Sequence, residues 1–387
     1  MSGKSNQYPW YSPRFWHGMR AGHYFRLLAR NRFRIGFMGI GMSFMIIWFS
    51  MANSLAWRLQ QLLFGQKIER AKLNEPPIFI IGHWRSGTTL LHEYLVKDRR
   101  FAYPTTFQVF APTHFLLTDW ILPRLLWFII PSKRPMDNMA TGFERPQEDE
   151  FSLCAMGAPT PYERMAFPNN PPVYLEFLNM KDCKAEDQSA FEAALQWFVK
   201  AVSYKSGGRR LILKSPPHTG RIETLRRLFP NAKFIHICRD PLEVYSSTMR
   251  LWPALDRAQG FQMPKYTDEW LESYVFDCGR RMYEGYLEQS QLLPPEDLME
   301  VRYEDLVENP LGTLKAIYEA CDLGDFSETQ ESMEAFIRTQ KSYQPNKHRL
   351  DEVKAQRVYQ EWRVYFDRFG YAPPQSDSIS ATASSGN

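Results

Sequence analysis

The strongest chemical signal in the chain lies at residues 77–91, P-I-F-I-I-G-H-W-R-S-G-T-T-L-L. A short apolar run ends at Gly82, and a helix-forming stretch opens at Thr88. The backbone N–H groups of such a turn, with the N-terminus of the following helix, make a cradle for phosphate or sulfate oxygens. Gly82 and Gly87 allow the backbone angles and close approach that a cradle needs. Arg85 brings positive charge, and Thr88 and Thr89 bring hydroxyl donors. The glycine spacing is that of the triphosphate loop G-x-x-x-x-G-K-[ST], but the lysine position holds Thr88 and the cation has moved into the turn as Arg85. Thr89 stands where a magnesium ligand would, yet no strand ends in a clear acidic partner for the ion. Metal-assisted phosphoryl transfer is therefore disfavoured. A singly charged sulfuryl group needs less neutralisation and suits this loop better.

A second anchor is legible at residues 233–250, K-F-I-H-I-C-R-D-P-L-E-V-Y-S-S-T-M-R. Arg239 follows an apolar strand directly, and Pro241 fits the first turn of the next helix. Ser247 lies eight residues on, so the two side chains can clamp one phosphate by charge-assisted hydrogen bonds. Open α/β sheets bind ligands at the C-terminal ends of their strands, which brings both motifs to one crevice.

The two motifs together resemble those of the 3′-phosphoadenylyl-sulfate-dependent sulfotransferases, in particular the broad-specificity, largely microbial branch. V-R-Y-E-D-L at 301–306, followed by Asn309-Pro310, is similar to a further family segment. The resemblance covers roughly residues 77–371 and implies a P-loop-like fold with 3′-phosphoadenosine-5′-phosphosulfate as co-substrate and no metal. Arg85, Ser86, Gly87, Thr88 and Thr89 would then hold the 5′-phosphosulfate, and Arg239 with Ser247 the 3′-phosphate. A clear R-K-G phosphate motif is missing near the end; Lys347, His348 and Arg349, with Lys341, are the candidates for that role.

Sulfuryl transfer needs a base for the acceptor proton, in-line geometry, and positive charge on the leaving oxygen. Arg85 is the first candidate for the charge. Lys214 is the second, in L-K-S-P-P-H, which looks like the lysine segment of several sulfotransferase branches. For the base, His218 stands four residues after Lys214, whereas the cytosolic branch has histidine two residues after it, where this chain has Pro216. Other branches use a carboxylate, and R-P-Q-E-D-E-F at 145–151 is the acidic cluster available. In an extended segment Asp149 would point away, so Glu148 and Glu150 rank ahead of His218. Glu93 reads as a surface residue.

These groups require a scaffold, and the pattern supplies one. Apolar strands at 78–81, 211–213, 233–238 and 299–303 alternate with helices at 88–97, 219–229, 242–251 and 311–321. That alternation predicts an α/β three-layer fold, a parallel sheet flanked by helices on both faces. A long proline- and aromatic-rich insertion, 98–205, separates the first two strands and should supply the acceptor pocket. The sulfotransferase-like domain is taken as 71–372, followed by a Ser/Ala-rich tail, 373–387, expected to be disordered.

Ahead of this domain the composition changes. Nine of the 47 basic residues fall within 1–68, which hold none of the 43 acidic ones. Residues 1–34 read as a basic arm, and 35–70 as an apolar, membrane-associating helical segment. Its uncharged core, 35–57, is long enough to span a bilayer, although Ser43, Ser50, Asn53 and Ser54 share one helical face. Five cysteines without a CxxC pair and the lack of an N-x-S/T sequon favour a reducing compartment. The expectation is a cytoplasmic enzyme held through residues 1–64 at the inner face of a membrane, with a small-molecule, lipid or glycan acceptor. Nucleic-acid signatures are lacking. The rival readings are a P-loop nucleotide kinase or triphosphatase, and a membrane-attached scaffold with a degenerate nucleotide site.

Overall fold

A computed structural model describes residues 13–129, 142–340 and 350–374. In chain order, α1 (Ala21–Arg30) and the long α2 (Ile40–Arg70) precede β1 (Ile78–Ile81) and α3 (Thr88–Leu95). The stretch before the next long strand holds β2 (Phe101–Ala102), α4 (Asp149–Met156) and α5 (Ala185–Lys205). Then come β3 (Arg210–Lys214), α6 (Ile222–Leu228), β4 (Lys233–Cys238), α7 (Pro241–Gln259), α8 (Asp268–Ser290), β5 (Leu298–Arg302) and α9 (Pro310–Ala320). The five strands form one parallel sheet in the order β2-β3-β1-β4-β5.

β1 lies at the centre, with Phe79 in register with Leu213 on one side and Phe234 on the other. Side chains alternate across a strand, so each face of the sheet collects its own core. Ile78, Ile80, Ile212, Ile235 and Ile237 pack with Leu91 and Leu95 of α3 and with Leu314 and Ile317 of α9. Phe79, Ile81, Leu211, Leu213 and Phe234 pack on the other face with Leu195 of α5, Leu225 of α6 and Met282 of α8. The three layers expected from the alternating pattern are thus present.

The described part of the basic N-terminal arm, from residue 13, packs on the domain. Phe15 and Trp16 are buried in the main core, Trp16 Nε1 donates to the Gln259 carbonyl at 2.6 Å, and the Phe15 ring stacks on Phe151 of α4 at 4.0 Å. The neighbouring Arg14 is held there too, its Nη1 donating to the Gly260 carbonyl at 3.1 Å. Residues 375–387 of the expected disordered tail lie outside the described residues.

His236 of β4 gives a test of this core. Its ring is stacked between Tyr286 at 4.2 Å and Phe369 at 5.0 Å, and neither ring nitrogen has a hydrogen-bond partner among the described residues. Burial, reinforced by the Arg368 charge, holds its pKa down at about 3. The unfolded chain binds a proton at this site below about pH 6.5 and the folded chain does not. Stability contributed here is therefore complete above that pH and falls as pH drops towards 3, by about 1.4 kcal/mol per pH unit. Urea unfolding of the His236→Phe variant should show a shallower loss over this window than the parent; equal slopes would count against the account.

Candidate active site

The loop joining β1 to α3 is shaped by its glycines. Gly82 and Gly87 have φ of 144° and 108°, and Arg85 between them sits at 71°. A Cβ on Gly87 would lie 2.4 Å from the Tyr303 ring, and one on Gly82 would lie 2.4 Å from the Ile237 carbonyl oxygen. Neither position admits a larger residue. The turn is tied down from inside: Gly82 N donates to Thr219 Oγ1 at 2.8 Å, and Ser86 N donates to the His83 carbonyl at 3.1 Å. The Ser86 hydroxyl is buried without a hydrogen-bond partner among the described residues. A buried donor at the start of a helix, beside Arg85, fits an incoming oxyanion.

The second motif meets the first. Arg85 Nε donates to Ser247 Oγ at 2.8 Å, and Arg239 Nη1 donates to the Arg85 carbonyl at 3.3 Å. The Arg239 guanidinium lies 4.4 Å over the Tyr303 ring, and its backbone N–H donates to Tyr365 Oη at 2.9 Å. Arg85, Arg239 and Ser247 are all half-buried at the C-terminal ends of β1 and β4.

Lys214 ends β3 with a side chain only 1% exposed, its Nζ 2.7 Å from Glu148 Oε1 and 3.4 Å from Thr89 Oγ1. Glu148 is half-buried and stands immediately before the first residue of α4, its side chain turned to Lys214 rather than to the helix backbone. Its Oε2 accepts a hydrogen bond from Tyr162 Oη at 2.9 Å, and Tyr162 Oη accepts one from Trp84 Nε1 at 2.7 Å. Burial, with the Glu148 charge adding to it, holds the Tyr162 hydroxyl well above its ordinary range. Tyr162 therefore remains a donor to Glu148 throughout the physiological range. Trp84 is itself a residue of the phosphate loop, so loop and carboxylate are tied together.

The acidic cluster straddles a helix start rather than running extended throughout, with Asp149 and Glu150 in the first turn of α4, and this corrects the expected side-chain directions. Glu148 is the last extended residue and Asp149 and Glu150 open the helix, where successive side chains diverge by about 100°, so the three acids reach three different basic side chains. Glu148 pairs with Lys214. Asp149 pairs with His218 at 2.6 Å, and Glu150 with Arg221 at 2.6 Å, both pairs fully buried. Burial opposes ionisation of Asp149, but the His218 charge and hydrogen bond hold its carboxyl below the usual carboxylate range. Glu150 also accepts from Arg221 Nη2 at 3.0 Å and from Thr160 Oγ1. Of the candidates named for the base, Glu148 is the one gathered with Lys214 and the loop. Glu150 and His218 are sealed behind it. Glu93 is also corrected: it is buried, its carboxylate 2.9 Å from Arg145 and 3.6 Å from Lys97. Lys341, Lys347, His348 and Arg349 lie outside the described residues.

Tyr162, Trp84 and Arg221 were not singled out from the sequence, and Asp149 was set aside there as pointing away. Lys214 ends β3, His218 lies in the turn after it and Arg221 stands just before α6, and each of them meets one of the three acids.

A model of the sulfotransferase family matches residues 76–328. The chain belongs to the sulfotransferase family. It is 39% identical over 365 residues to the omega-hydroxy-beta-dihydromenaquinone-9 sulfotransferase Stf3 of Mycobacterium bovis, covering 94% of this chain and 92% of that one. The Stf3 of Mycobacterium tuberculosis matches to the same extent. Among solved structures, this sulfotransferase superposes on STF9 from Mycobacterium avium with a TM-score of 0.63 at 18% identity, covering 93% of this chain and 98% of that one. STF1 from Mycobacterium tuberculosis gives 0.61 at 18% identity, covering 89% and 93%. Those two likenesses bear on the fold. Family membership makes the protein a transferase enzyme and displaces the kinase, triphosphatase and scaffold readings.

Proposed function

We propose that this sulfotransferase moves the sulfuryl group of 3′-phosphoadenosine-5′-phosphosulfate onto a hydroxyl of a lipid acceptor, of the omega-hydroxylated dihydromenaquinone class named for its mycobacterial relatives. The observation that carries this reading is the 2.7 Å Glu148–Lys214 pair beside the phosphate loop. It brings a carboxylate and a cation to the place where a proton must leave the acceptor and charge must be balanced on the donor. In this reading the loop residues Gly82, Ser86, Gly87, Thr88 and Thr89 hold the 5′-phosphosulfate. Arg239 and Ser247 hold the 3′-phosphate, with Lys347, His348 and Arg349 completing that site. The acceptor oxygen forms the new S–O bond as the bond from sulfur to the bridging oxygen breaks, and that electron pair stays on the phosphate. Glu148 takes the acceptor proton. Lys214 and Arg85 stabilise the charge growing on the leaving oxygen.

A lipid acceptor and a nucleotide donor meet at the cytoplasmic face of a membrane, which is where we locate the enzyme. Its five free cysteines suit a reducing compartment.

Calorimetry with 3′,5′-adenosine bisphosphate tests the donor half. A charge-assisted hydrogen bond contributes about 1.5–3 kcal/mol, so Arg239→Ala should weaken binding roughly 10- to 150-fold without added metal. Equal affinity of parent and variant, or no binding by the parent, would overturn the assignment.

A further inference from the structure

The apolar segment ahead of the catalytic core is the longest helix described; it buries four polar side chains along with Met42, Ile46 and Ile68, and turns a continuous apolar ridge outward. In a water-soluble protein an amphipathic helix turns its apolar stripe inward. On α2 the inward side carries the polar residues Ser43, Ser50, Asn53 and Gln60, each of which meets a partner from within the protein. Ser43 Oγ is 2.6 Å from Tyr24 Oη, and Ser50 Oγ donates to the Ile47 carbonyl at 2.8 Å. Asn53 Nδ2 donates to the His17 and Met19 carbonyls at 2.6 and 3.0 Å, while its Oδ1 lies 3.0 Å from His114 Nε2. Gln60 Oε1 accepts from Leu116 N at 2.9 Å. The outward stripe runs Phe37, Ile40, Phe44, Trp48, Met51, Leu55, Leu59 and Leu62, at spacings of three and four residues, with Phe37 90%, Trp48 73% and Leu62 82% exposed. Water is the wrong solvent for that face.

We infer that α2 lies flat in the headgroup region of a bilayer containing anionic phospholipids, its apolar ridge sunk into one leaflet and the catalytic domain wholly on one side. This rests on the membrane association proposed above and goes further by fixing its geometry and its lipid partner. Crossing the bilayer is incompatible with the packing. α2 is bonded to the domain near its start through Ser43 and again seventeen residues on through Gln60, so a spanning helix would drag charged protein into hydrocarbon. Its 31 residues make a contact line about 46 Å long. Charge selects the lipid. Arg32 and Arg34 are exposed at the entry to the helix and Arg58 along it, and no acid precedes Glu69. Trp120, Trp127 and Phe128, exposed just beyond the turn docked on Gln60, add the interfacial aromatics that such a surface uses.

The test is vesicle flotation of the full chain. Vesicles of phosphatidylcholine and phosphatidylglycerol in equal parts should carry the protein, and vesicles of phosphatidylcholine alone should carry far less. Neutralising both rim charges (Arg32→Gln with Arg34→Gln) should lower partitioning roughly 25-fold, about fivefold per charge. Each of Phe44→Ser, Trp48→Ser and Leu55→Ser should lower it at least about tenfold, with binding of 3′,5′-adenosine bisphosphate unchanged as the check on folding. Geometry is read by brominated-lipid quenching of a fluorescent label on Phe44→Cys, Leu55→Cys or Leu62→Cys in a Cys183→Ser background. Equal shallow depths at all three sites are expected. A depth that changes steadily along the helix would overturn flat docking while leaving membrane association intact. Failure to float, with the apolar face closing a dimer that the serine variants split, would overturn both and leave the sulfuryl-transfer reading untouched.

Discussion

Replacing Glu148 by glutamine is expected to lower kcat by roughly 10²–10⁴-fold, the usual contribution of a positioned general base, and to leave 3′,5′-adenosine bisphosphate binding nearly unchanged. Glutamine keeps the size of the side chain and can still accept from Tyr162, but it cannot take the acceptor proton. Lys214 remains beside Thr89, so the loss should appear in turnover rather than in donor affinity. Glu148→Asp draws the carboxylate back by one methylene and should retain part of the activity, because proton transfer depends on reach. Tyr162→Phe removes one hydrogen bond to the carboxylate without removing the base and should cost less than Glu148→Gln. Steady-state kinetics with parallel calorimetry decides the matter. Parental turnover in Glu148→Gln, or a loss of nucleotide binding equal to the loss of rate, would remove Glu148 from the role.

The parts of this molecule that could be read from sequence share a physical origin. β1 is a continuous apolar run and β4 nearly so, broken by His236, because both are covered on both faces, and Gly82 and Gly87 mark a turn that no residue with a Cβ can make without collision. The direction of the acids at 148–150 depended on a one-turn difference in local conformation, extended against helical, that no short-range pattern decides. β2 has only two residues and exists because β3 offers it an edge. α8 is hidden for another reason. Its buried face is built from Tyr274, Cys278, Gly279, Tyr286 and Gln289 as much as from aliphatic residues, so hydrophobic periodicity is weak. Gly279 is required there because the Trp362 ring would stand 2.7 Å from any Cβ, a contact eighty-three residues away in the chain. The polar stripe on α2 was visible, but its partners, Tyr24, His114 and Leu116, come from elements that only folding assembles.

The largest expected loss of stability lies directly behind the site, at Arg221. Its side chain is fully buried, Nη1 and Nη2 bind both oxygens of Glu150 at 2.6 and 3.0 Å, and Nε donates to the Phe177 carbonyl at 2.5 Å. The guanidinium also rests 4.7 Å over the Phe191 ring. Arg221→Ala leaves the Glu150 carboxylate buried with Thr160 as its remaining partner outside this pair. Breaking one side of a buried ion pair costs about 3–5 kcal/mol, because the surviving charge cannot return to water. Urea unfolding should report a loss of that size, and activity of the folded fraction should fall as well, since Glu150 lies in the first turn of α4 and Glu148 directly precedes it. Replacing both partners with apolar residues of similar volume, Arg221→Met with Glu150→Leu, should recover most of the stability. That double variant separates two roles for Glu150. If it is stable and keeps turnover, Glu150 positions the helix that carries Glu148. If it is stable but inactive while Glu148→Gln still turns over, the base is Glu150, and the pairing of Glu148 with Lys214 is structural.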